Sequence, residues 1–230
     1  MHLPISDKIE LNILHQNSHQ AEKNKIKFNN YNLLCLNIMS SPGAGKTRLL
    51  EITLEDLSKK FHSAVLEGDM TTNLDAARLE KLNIPVVPIT TGRACHLDAN
   101  MVSGGLKLLE KKINPDSLDI LLVENVGNLV CPAEFEIGEH FKVALLSITE
   151  GEDKPLKYPI MFREADLILI TKVDLLPHLN FDINELKSNI ASTNPKADVI
   201  EISSITKSGF DLWQLKVSVI TTLDLLFLEY

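Results

Sequence analysis

Short apolar runs recur along the chain from residue 33 onward and alternate with longer stretches of helical periodicity. Apolar strands that alternate with helices are typical of βαβ crossover units, in which helices cover both faces of a parallel sheet. The pattern therefore predicts an α/β fold of three layers with a mostly parallel central sheet. The strand-forming runs are LLCLNIM (33–39), HSAVLEG (62–68), PVVPIT (85–90), LDILLVEN (118–125), VALLSIT (143–149), DLILITK (166–172) and ADVIEIS (197–203).

The two ends of the chain are predicted to be helical. Residues 7–30 are polar and rich in Asn and Lys, with scattered apolar positions, which indicates an N-terminal helix that packs loosely. Residues 209–228 carry apolar side chains at helical spacing and indicate a last helix. Because no repeat, low-complexity tract or linker interrupts the pattern, we expect an N-terminal helical extension over residues 1–30 and a single domain over residues 31–230.

Composition and charge narrow the class of protein. The chain has 230 residues, of which 44% are apolar, enough for the core of one large α/β domain. Its net charge of −8 argues against a nucleic acid or an anionic membrane as partner. No apolar run reaches the roughly 18 residues of a transmembrane helix, and the N-terminus lacks the features of a signal peptide. Three cysteines do not make a disulfide framework, so we expect a cytoplasmic protein.

The first apolar run ends in a phosphate-binding motif. Met39–Glu51 reads MSSPGAGKTRLLE, a strand followed by a loop of small residues and by Gly-Lys-Thr at the start of a helix. Such a loop points backbone N–H groups at phosphate oxygens, while Lys46 reaches the β- and γ-phosphates and Thr47 offers its hydroxyl to Mg²⁺. Ser40 replaces the usual Gly, which an extended backbone permits, and an ordinary strand-to-helix turn is the weaker alternative. The predicted nucleotide-binding residues are Ser41, Pro42, Gly43, Ala44, Gly45, Lys46, Thr47 and Arg48.

A second motif predicts which nucleotide base the protein recognises. The residues Thr171, Lys172, Val173 and Asp174 follow a buried run and resemble the Asn-Lys-x-Asp guanine motif of GTPases. The Asp174 carboxylate would accept hydrogen bonds from guanine N1–H and the N2 amine, whereas adenine offers neither donor there. The stem of Lys172 would lie along the base. Because Thr171 replaces the usual Asn, the preference for GTP over ATP is weakened without being reversed.

The run at 197–203 is followed by a loop at the distance expected of the last guanine-binding segment. Backbone N–H groups near Ser203 and Ser204 would contact guanine O6. A serine that caps the following helix explains the same residues nearly as well.

Two carboxylates are predicted to face the γ-phosphate. The second strand passes Glu67 and places Asp69 in the loop after it, and Glu124 ends the run LDILLVEN. In parallel α/β sheets, chemistry collects at the carboxyl ends of strands. Asp69 and Glu124 would hold Mg²⁺ or orient the attacking water, although Asp69 could instead be a helix N-cap over Thr72. No glutamine is placed to orient water, so slow hydrolysis is expected.

The three cysteines differ in setting. Cys35 lies inside the first strand and is read as a small buried hydrophobe. Cys95 and His96 are adjacent before a helix that Asp98 could cap, and Cys131 follows the fourth strand. Two thiolates and an imidazole suit Zn²⁺ or Ni²⁺. Spacing alone is a weak signal for a metal site, and a free thiol on a loop is the plainer alternative.

The stretch LLVENVGNLVCP connects these features. Cys131 comes shortly after Glu124 and Gly127, so one segment would contact the γ-phosphate at its start and carry a thiolate at its end. Hydrolysis could then move a metal ligand.

These motifs, in this order, resemble the nickel-insertion GTPases of hydrogenase maturation, the HypB family, over roughly residues 12–228. A related family, the urease accessory GTPases, carries a Cys-Pro-His metal motif that is absent here. The resemblance implies a P-loop NTPase fold that binds GTP and GDP with Mg²⁺. The motifs that carry it are MSSPGAGKT, EGDMTTNLDAARL, TGRACHLDANM, VENVGNLVCP and TKVDLLP.

The resemblance also implies roles for the site residues. Lys46, Asp69 and Glu124 would serve hydrolysis, with Thr47 joining the two acids around Mg²⁺. The Cys/His group, residues 95, 96 and 131, would bind nickel or zinc at a nucleotide-linked dimer interface. Implied partners are a second copy of the chain, a HypA-type nickel chaperone and the hydrogenase large-subunit precursor.

The chain also departs from parts of the family. It has no cysteine before Cys35, so the N-terminal Cys-x-x-Cys-Gly-Cys site of some members is absent, and its N-terminal histidines are scattered rather than clustered for nickel storage. Three readings remain open beside a GTP-hydrolysing metallochaperone. They are a passive nickel- or zinc-binding dimerisation module with incidental hydrolysis, a urease-type nickel-insertion GTPase and, least favoured, a small-molecule kinase.

Overall fold

A computed structural model describes the backbone of residues 5–70 and 74–227, and the side chains of residues 12–70 and 74–223. Each apolar run forms a strand, as the sequence predicts. Neighbouring strands are all parallel in the described part of the chain, in the order β3-β2-β4-β1-β5-β6-β7. The strands are β1 (Leu34–Ser40), β2 (Ser63–Asp69), β3 (Val86–Thr90), β4 (Ile120–Glu124), β5 (Phe141–Ser147), β6 (Leu167–Thr171) and β7 (Asp198–Ile202).

Helices connect the strands and cover both faces of the sheet, which is the predicted three-layer P-loop NTPase architecture. Over the described residues, the connections also contain the 3₁₀ turns Pro115–Ser117, Ile148–Glu150 and Val173–His178. The helices are α1 (Ile5–Asn30), α2 (Lys46–Leu57), α3 (Leu74–Glu80), α4 (Ala99–Leu109), α5 (Cys131–Glu134), α6 (Lys154–Lys157), α7 (Pro159–Glu164), α8 (Ile183–Thr193) and α9 (Phe210–Phe227).

The core lies on both faces of the central strand β1, which is buried along its whole length between β4 and β5. Strands buried on both faces are continuous apolar runs rather than alternating ones, which is why the sequence pattern was so clear. Cys35 is fully buried in this core, as expected of a small hydrophobe. The helix predicted at 209–228 corresponds to α9, whose Trp213 indole donates to Thr53 Oγ1 at 2.8 Å; Leu228 lies outside the described residues.

The N-terminal helix packs more tightly than the sequence suggested. Asn17 donates to the Glu136 carbonyl at 2.8 Å and accepts from the Ala99 N–H at 2.9 Å. Asn24 donates to the carbonyls of Ala99 and Ile137, and Phe28 is fully buried. The expectation of loose packing is therefore wrong, because buried asparagines attach the polar-looking helix to the N-terminus of α4 and to the loop before β5.

The carboxyl ends of β1, β2, β4 and β6 bring the predicted site residues to one edge of the sheet, as expected for open parallel α/β folds. Among the described helices, none is both long and apolar enough to cross a membrane.

Candidate nucleotide and metal site

The phosphate loop joins the central strand directly to α2. Gly43 and Gly45 have φ values of +76° and +103°, the left-handed region that glycine enters without steric cost. Ser40 is the last residue of β1 and therefore extended, so its replacement of the usual Gly is tolerated. Lys46, the first residue of α2, is buried, and its Nζ donates to Ser40 Oγ at 2.9 Å. The loop thus holds a lysine and a helix N-terminus ready for phosphate oxygens.

A cavity of about 430 Å³ opens beside this loop. Its lining includes Lys46 and Thr47 from the start of α2 and the acidic side chains of Asp69 and Glu124. Thr47 Oγ1 donates to Glu124 Oε1 at 2.7 Å, which brings together two of the residues predicted to surround Mg²⁺. Asp69 ends β2, and its carboxylate accepts from the Met70 N–H at 2.6 Å. The alternative in which Asp69 is a helix N-cap over Thr72 involves residues outside the described part of the chain.

Glu67 is a third acid in this wall. It pairs with Glu124 in the register between β2 and β4, and both side chains are buried. Burial raises the pKa of Glu67 to about 8, and repulsion from Glu124 adds to the shift. Burial likewise raises the pKa of Glu124 to about 7, against the attraction of Lys46. Burial also lowers the pKa of Lys46 itself.

These carboxylates fit a hard divalent cation. The Oε2 atoms of Glu67 and Glu124 are buried without a hydrogen-bond partner, and both residues line the cavity. Unpartnered buried oxygens are costly, and oxygen donors are the ligands that Mg²⁺ prefers. The donor set therefore matches the cation that accompanies a bound nucleotide.

The predicted base-recognition residues contact the phosphate loop from β6. Thr171 Oγ1 donates to the Ala44 carbonyl at 2.8 Å, and Lys172 Nζ donates to the Gly43 carbonyl at 2.7 Å. Lys172 has a left-handed backbone with φ of +61°. The threonine that departs from the usual Asn thus keeps a side-chain hydrogen bond to the phosphate loop.

Ser203 makes hydrogen bonds other than the predicted contact with guanine. Its N–H donates to the Ser208 carbonyl at 3.0 Å, so the expectation that this N–H faces guanine O6 is wrong. Its hydroxyl instead donates to Asp174 Oδ1 at 2.6 Å and accepts from the N–H of Ile205 and of Thr206. The O6 contact of Ser204 stays a prediction.

The three candidate metal ligands, Cys95, His96 and Cys131, lie close together. Cys95 and His96 lie in the loop before α4, whose N-cap is Asp98, and Cys131 is the first residue of α5. The Sγ atoms of the two cysteines are 3.0 Å apart, Cys95 Sγ is 3.9 Å from His96 Nδ1, and one ligand atom from each residue falls within 4.8 Å of the others. The His96 ring packs on Phe135 with centroids 4.1 Å apart. Burial lowers the pKa of His96, which favours the neutral ring that binds metals.

Four residues of this region were missed as site residues in the sequence. Glu67 looked like an ordinary strand position. Arg78 forms a two-point ion pair with Glu51 of α2 and so fixes α3 beside the cavity. Asn125 and Asn128 lie in the segment that leads from Glu124 to Cys131 and bond to the loop that carries Cys95. For the two asparagines, the available signal is the ENVGN sequence (residues 124–128), in which polar residues directly follow a buried strand.

Comparison with known proteins gives a consistent assignment. The family model described as the CobW/HypB/UreG nucleotide-binding domain matches residues 34–201. Hydrogenase maturation factor HypB of Azotobacter vinelandii is 49% identical over 90% of this chain and 67% of its own length.

Two solved structures are similar throughout. HypB from Helicobacter pylori in complex with nickel superposes with a TM-score of 0.86 at 39% identity, covering 91% of this chain and 96% of that one. HypB from Archaeoglobus fulgidus gives a TM-score of 0.83 at 37% identity, covering 90% of this chain and 99% of that one.

Proposed function

This chain belongs to the CobW/HypB/UreG family and within it to the HypB hydrogenase maturation factors, and we propose that it is a GTP-hydrolysing metallochaperone. In this proposal it binds nickel or zinc and helps to insert nickel into the large subunit of [NiFe]-hydrogenase. The observation that carries the proposal is the Cys95, His96 and Cys131 group, joined by one short segment to a phosphate loop at the same sheet edge.

The reaction converts GTP and water to GDP and phosphate. Backbone N–H groups of the phosphate loop would hold the β-phosphate, and the Lys46 ammonium would balance charge on the γ-phosphate as the bond breaks. Bound Mg²⁺, held by Thr47, Glu124 and Asp69, would neutralise phosphate charge. Glu67 lines the same cavity and would orient a water molecule there. Without a glutamine for that task, turnover is slow.

Guanine would be selected at the other end of the site. The Asp174 carboxylate would accept from guanine N1–H and N2, and the Ser203 hydroxyl fixes its orientation. Because Thr171 lacks the amide of the usual Asn, selection rests chiefly on Asp174.

Nickel is the cargo in this scheme. Two thiolates and one neutral imidazole are suitable donors for Ni²⁺ and Zn²⁺ alike. The Helicobacter pylori HypB structure is a complex with nickel, and this similarity supports nickel as the cargo of this chain. A second copy of the chain, paired in a GTP-dependent manner, a HypA-type chaperone and the hydrogenase large-subunit precursor are the proposed partners, in agreement with the role of the family.

Two assays test this function. Phosphate release from GTP and from ATP is measured for the unaltered chain, for Lys46→Ala and for a control at an exposed position, Lys60→Ala. Slow GTP turnover that exceeds ATP turnover and is lost only in Lys46→Ala is expected, because Lys46 lines the phosphate cavity and Lys60 does not. Equal rates for GTP and ATP would contradict guanine selection.

Metal content forms the second assay. Nickel and zinc bound per chain are measured for the unaltered protein, for Cys95→Ala and for Cys35→Ala, which removes a thiol outside the cluster. Binding that is lost only in Cys95→Ala is expected. If binding is normal but GTP turnover does not change with metal, the passive binding module replaces the metallochaperone.

A further inference from the structure

The segment after Glu124 is attached through its backbone to the end of β1, directly before the phosphate loop. The N–H of Asn125 donates to the Ile38 carbonyl at 3.0 Å, and that of Asn128 donates to the Ser40 carbonyl at 2.8 Å. Gly127 lies against Pro42 so closely that an added Cβ would sit 2.8 Å from the Pro42 Cα. A movement of the phosphate loop or of Glu124 is therefore passed to this segment, because no space separates them.

The side chains of the same two asparagines reach in the opposite direction. Asn125 Oδ1 accepts from the Leu97 N–H at 2.9 Å, and Asn128 Nδ2 donates to the Cys95 carbonyl at 3.3 Å. These two contacts fall on either side of His96. Asn128 Oδ1 also accepts from the N–H of Val130, the residue before Cys131, at 2.9 Å. The two side-chain amides thus bond to the backbone at or beside each of the three candidate metal ligands: at Cys95 itself, after His96 and before Cys131.

Both amides are held in a fixed orientation. Asn125 is fully buried, its Oδ1 accepts a second N–H from Val126 at 2.9 Å, and its Nδ2 donates to Asn37 Oδ1 at 3.2 Å. Asn128 uses its oxygen and its nitrogen for two different partners. Because amide oxygen and nitrogen are not interchangeable as acceptor and donor, neither side chain can rotate without breaking a bond. A shift of their backbone is therefore transmitted rather than absorbed.

We propose that Asn125 and Asn128 are positioning residues that make the metal ligands respond to the bound nucleotide. They join the segment that starts at Glu124 to the loop that carries Cys95 and His96, so a change at the γ-phosphate moves both cysteines together. This inference rests on the proposed function, since it needs a chain that binds both nucleotide and metal. It adds two residues that would act by positioning the segment and the metal ligands rather than by serving as ligands of the metal ion.

The test compares nickel affinity in two nucleotide states. Affinity is measured by competition with a chromogenic chelator, first with Mg²⁺-GDP and then with a non-hydrolysable Mg²⁺-GTP analogue. Asn128→Ala is the main variant, because Asn128 is less buried than Asn125. Asn189→Ala is the matched control, since Asn189 donates to the Glu152 carbonyl at 3.0 Å away from both sites. Thermal unfolding of each variant is recorded alongside.

The unaltered chain and Asn189→Ala are expected to differ between the two states by about tenfold or more. Asn128→Ala is expected to bind nickel in both states with a difference of less than about threefold. Asn128→Asp keeps an oxygen for Val130, replaces the donor to Cys95 by an acceptor and adds a negative charge, so the ratio of the two affinities rather than either affinity alone is compared. It is expected to lose the difference too, and it serves as the test variant if Asn128→Ala fails to fold.

Three results would overturn the inference. A full difference retained in both Asn128 variants would show that the asparagine does not transmit the nucleotide state, and would leave the proposed function intact. Equal loss of nickel affinity in both states, with the ratio unchanged, would make Asn128 a structural support of the metal site only. No difference in the unaltered chain would overturn the inference together with nucleotide-linked metal release, while the turnover and metal-content assays decide the remainder of the proposed function.

Discussion

The base end and the phosphate end of the candidate nucleotide site are built in opposite ways. At the base end, Thr171, Lys172 and Ser203 are all hydrogen-bonded, to the phosphate loop or to Asp174. At the phosphate end, Glu67 and Glu124 are buried with unpartnered oxygens and raised pKa values. At one end these polar side chains are paired without a ligand, whereas at the other end buried carboxyl oxygens have no hydrogen-bond partner.

This difference assigns separate tasks to the two ends. A pre-organised base end recognises the nucleotide without rearranging, so binding costs little there. The phosphate end would gain most from a bound cation, which would give its unpartnered carboxyl oxygens a partner, so we expect its structure to depend on the nucleotide state. The segment toward Cys131 starts at Glu124, at this second end. We therefore expect metal binding to depend on the phosphates rather than on the base.

The largest effect is expected at the base end. Asp174→Asn removes the charge proposed to accept from two guanine donors, and charge-assisted hydrogen bonds contribute about 1.5–3 kcal/mol each. GDP affinity should fall by about 100-fold or more, measured by calorimetry. Asparagine can still accept from Ser203, so the loop is kept.

Xanthine nucleotides sharpen this prediction. They carry a C2 carbonyl that the new amide can donate to, so their affinity should rise in Asp174→Asn. Asp116→Asn, at an exposed turn, is the control. Unchanged selectivity between GDP and XDP in Asp174→Asn would show that the base lies elsewhere.

The next effect concerns the contact between the phosphate loop and the segment after Glu124. In Gly127→Ala the new Cβ would meet Pro42 backbone atoms at 2.8 and 2.9 Å, so the loop must shift. Overpacking of this kind costs about 1–3 kcal/mol, and GTP affinity should fall by about tenfold while the preference for guanine over adenine persists.

Gly104→Ala is the control for that change, because a Cβ at Gly104 meets no atom within 4 Å. In the interior of α4 it should stabilise the fold by up to about 1 kcal/mol. If Gly127→Ala instead altered base preference and left phosphate affinity untouched, the separation of the two ends would be wrong.

A smaller effect follows from the buried acids. The folded-state pKa of Glu67, about 8, lies above its ordinary value of 4.5. The folded protein therefore binds more protons than the unfolded chain between these values, and its free energy of unfolding should fall as pH rises from 5 toward 8. Glu67→Gln should reduce this decline by on the order of 1 kcal/mol in nucleotide- and metal-free protein, measured by urea unfolding.

The control is Glu80→Gln, on the exposed face of α3. It should leave the fall in the free energy of unfolding between pH 5 and 8 unchanged. A decline of the same size in Glu67→Gln would mean that Glu67 does not titrate in this range.

The smallest effect is expected at Thr171. Thr171→Ala removes one neutral hydrogen bond, to the Ala44 carbonyl, and a bond of this kind contributes about 1 kcal/mol or less. GTP affinity should fall a few-fold, whereas Thr171→Ser, which keeps the hydroxyl, should remain close to the unaltered chain. Equal losses in both variants would point to the methyl group instead.

The sequence predicted the parts of the molecule that depend on local pattern. Buried parallel strands are continuous apolar runs, and a phosphate loop is a contiguous motif, so both could be recognised without a structure. The convergence of Cys95 and His96 with Cys131 was suggested by motif order and by resemblance. The hydroxyl role of Ser203 was not, because it depends on Asp174, which belongs to a different loop.

The remaining failures share a physical cause. The tight packing of α1 depends on Asn17 and Asn24, whose partners lie near residues 99 and 136. A polar residue that bonds to distant backbone looks the same in sequence as one that faces solvent. Asn128 and its contact to Cys95 went unrecognised for the same reason.

The most direct test of the account is the nickel affinity of the unaltered chain with Mg²⁺-GDP and with a non-hydrolysable Mg²⁺-GTP analogue, set against Cys131→Ala. The account predicts a difference of about tenfold or more, equivalent to about 1.4 kcal/mol of coupling, which disappears in Cys131→Ala. Equal affinities in both nucleotide states of the unaltered chain would contradict it and leave a metal site that does not respond to the nucleotide.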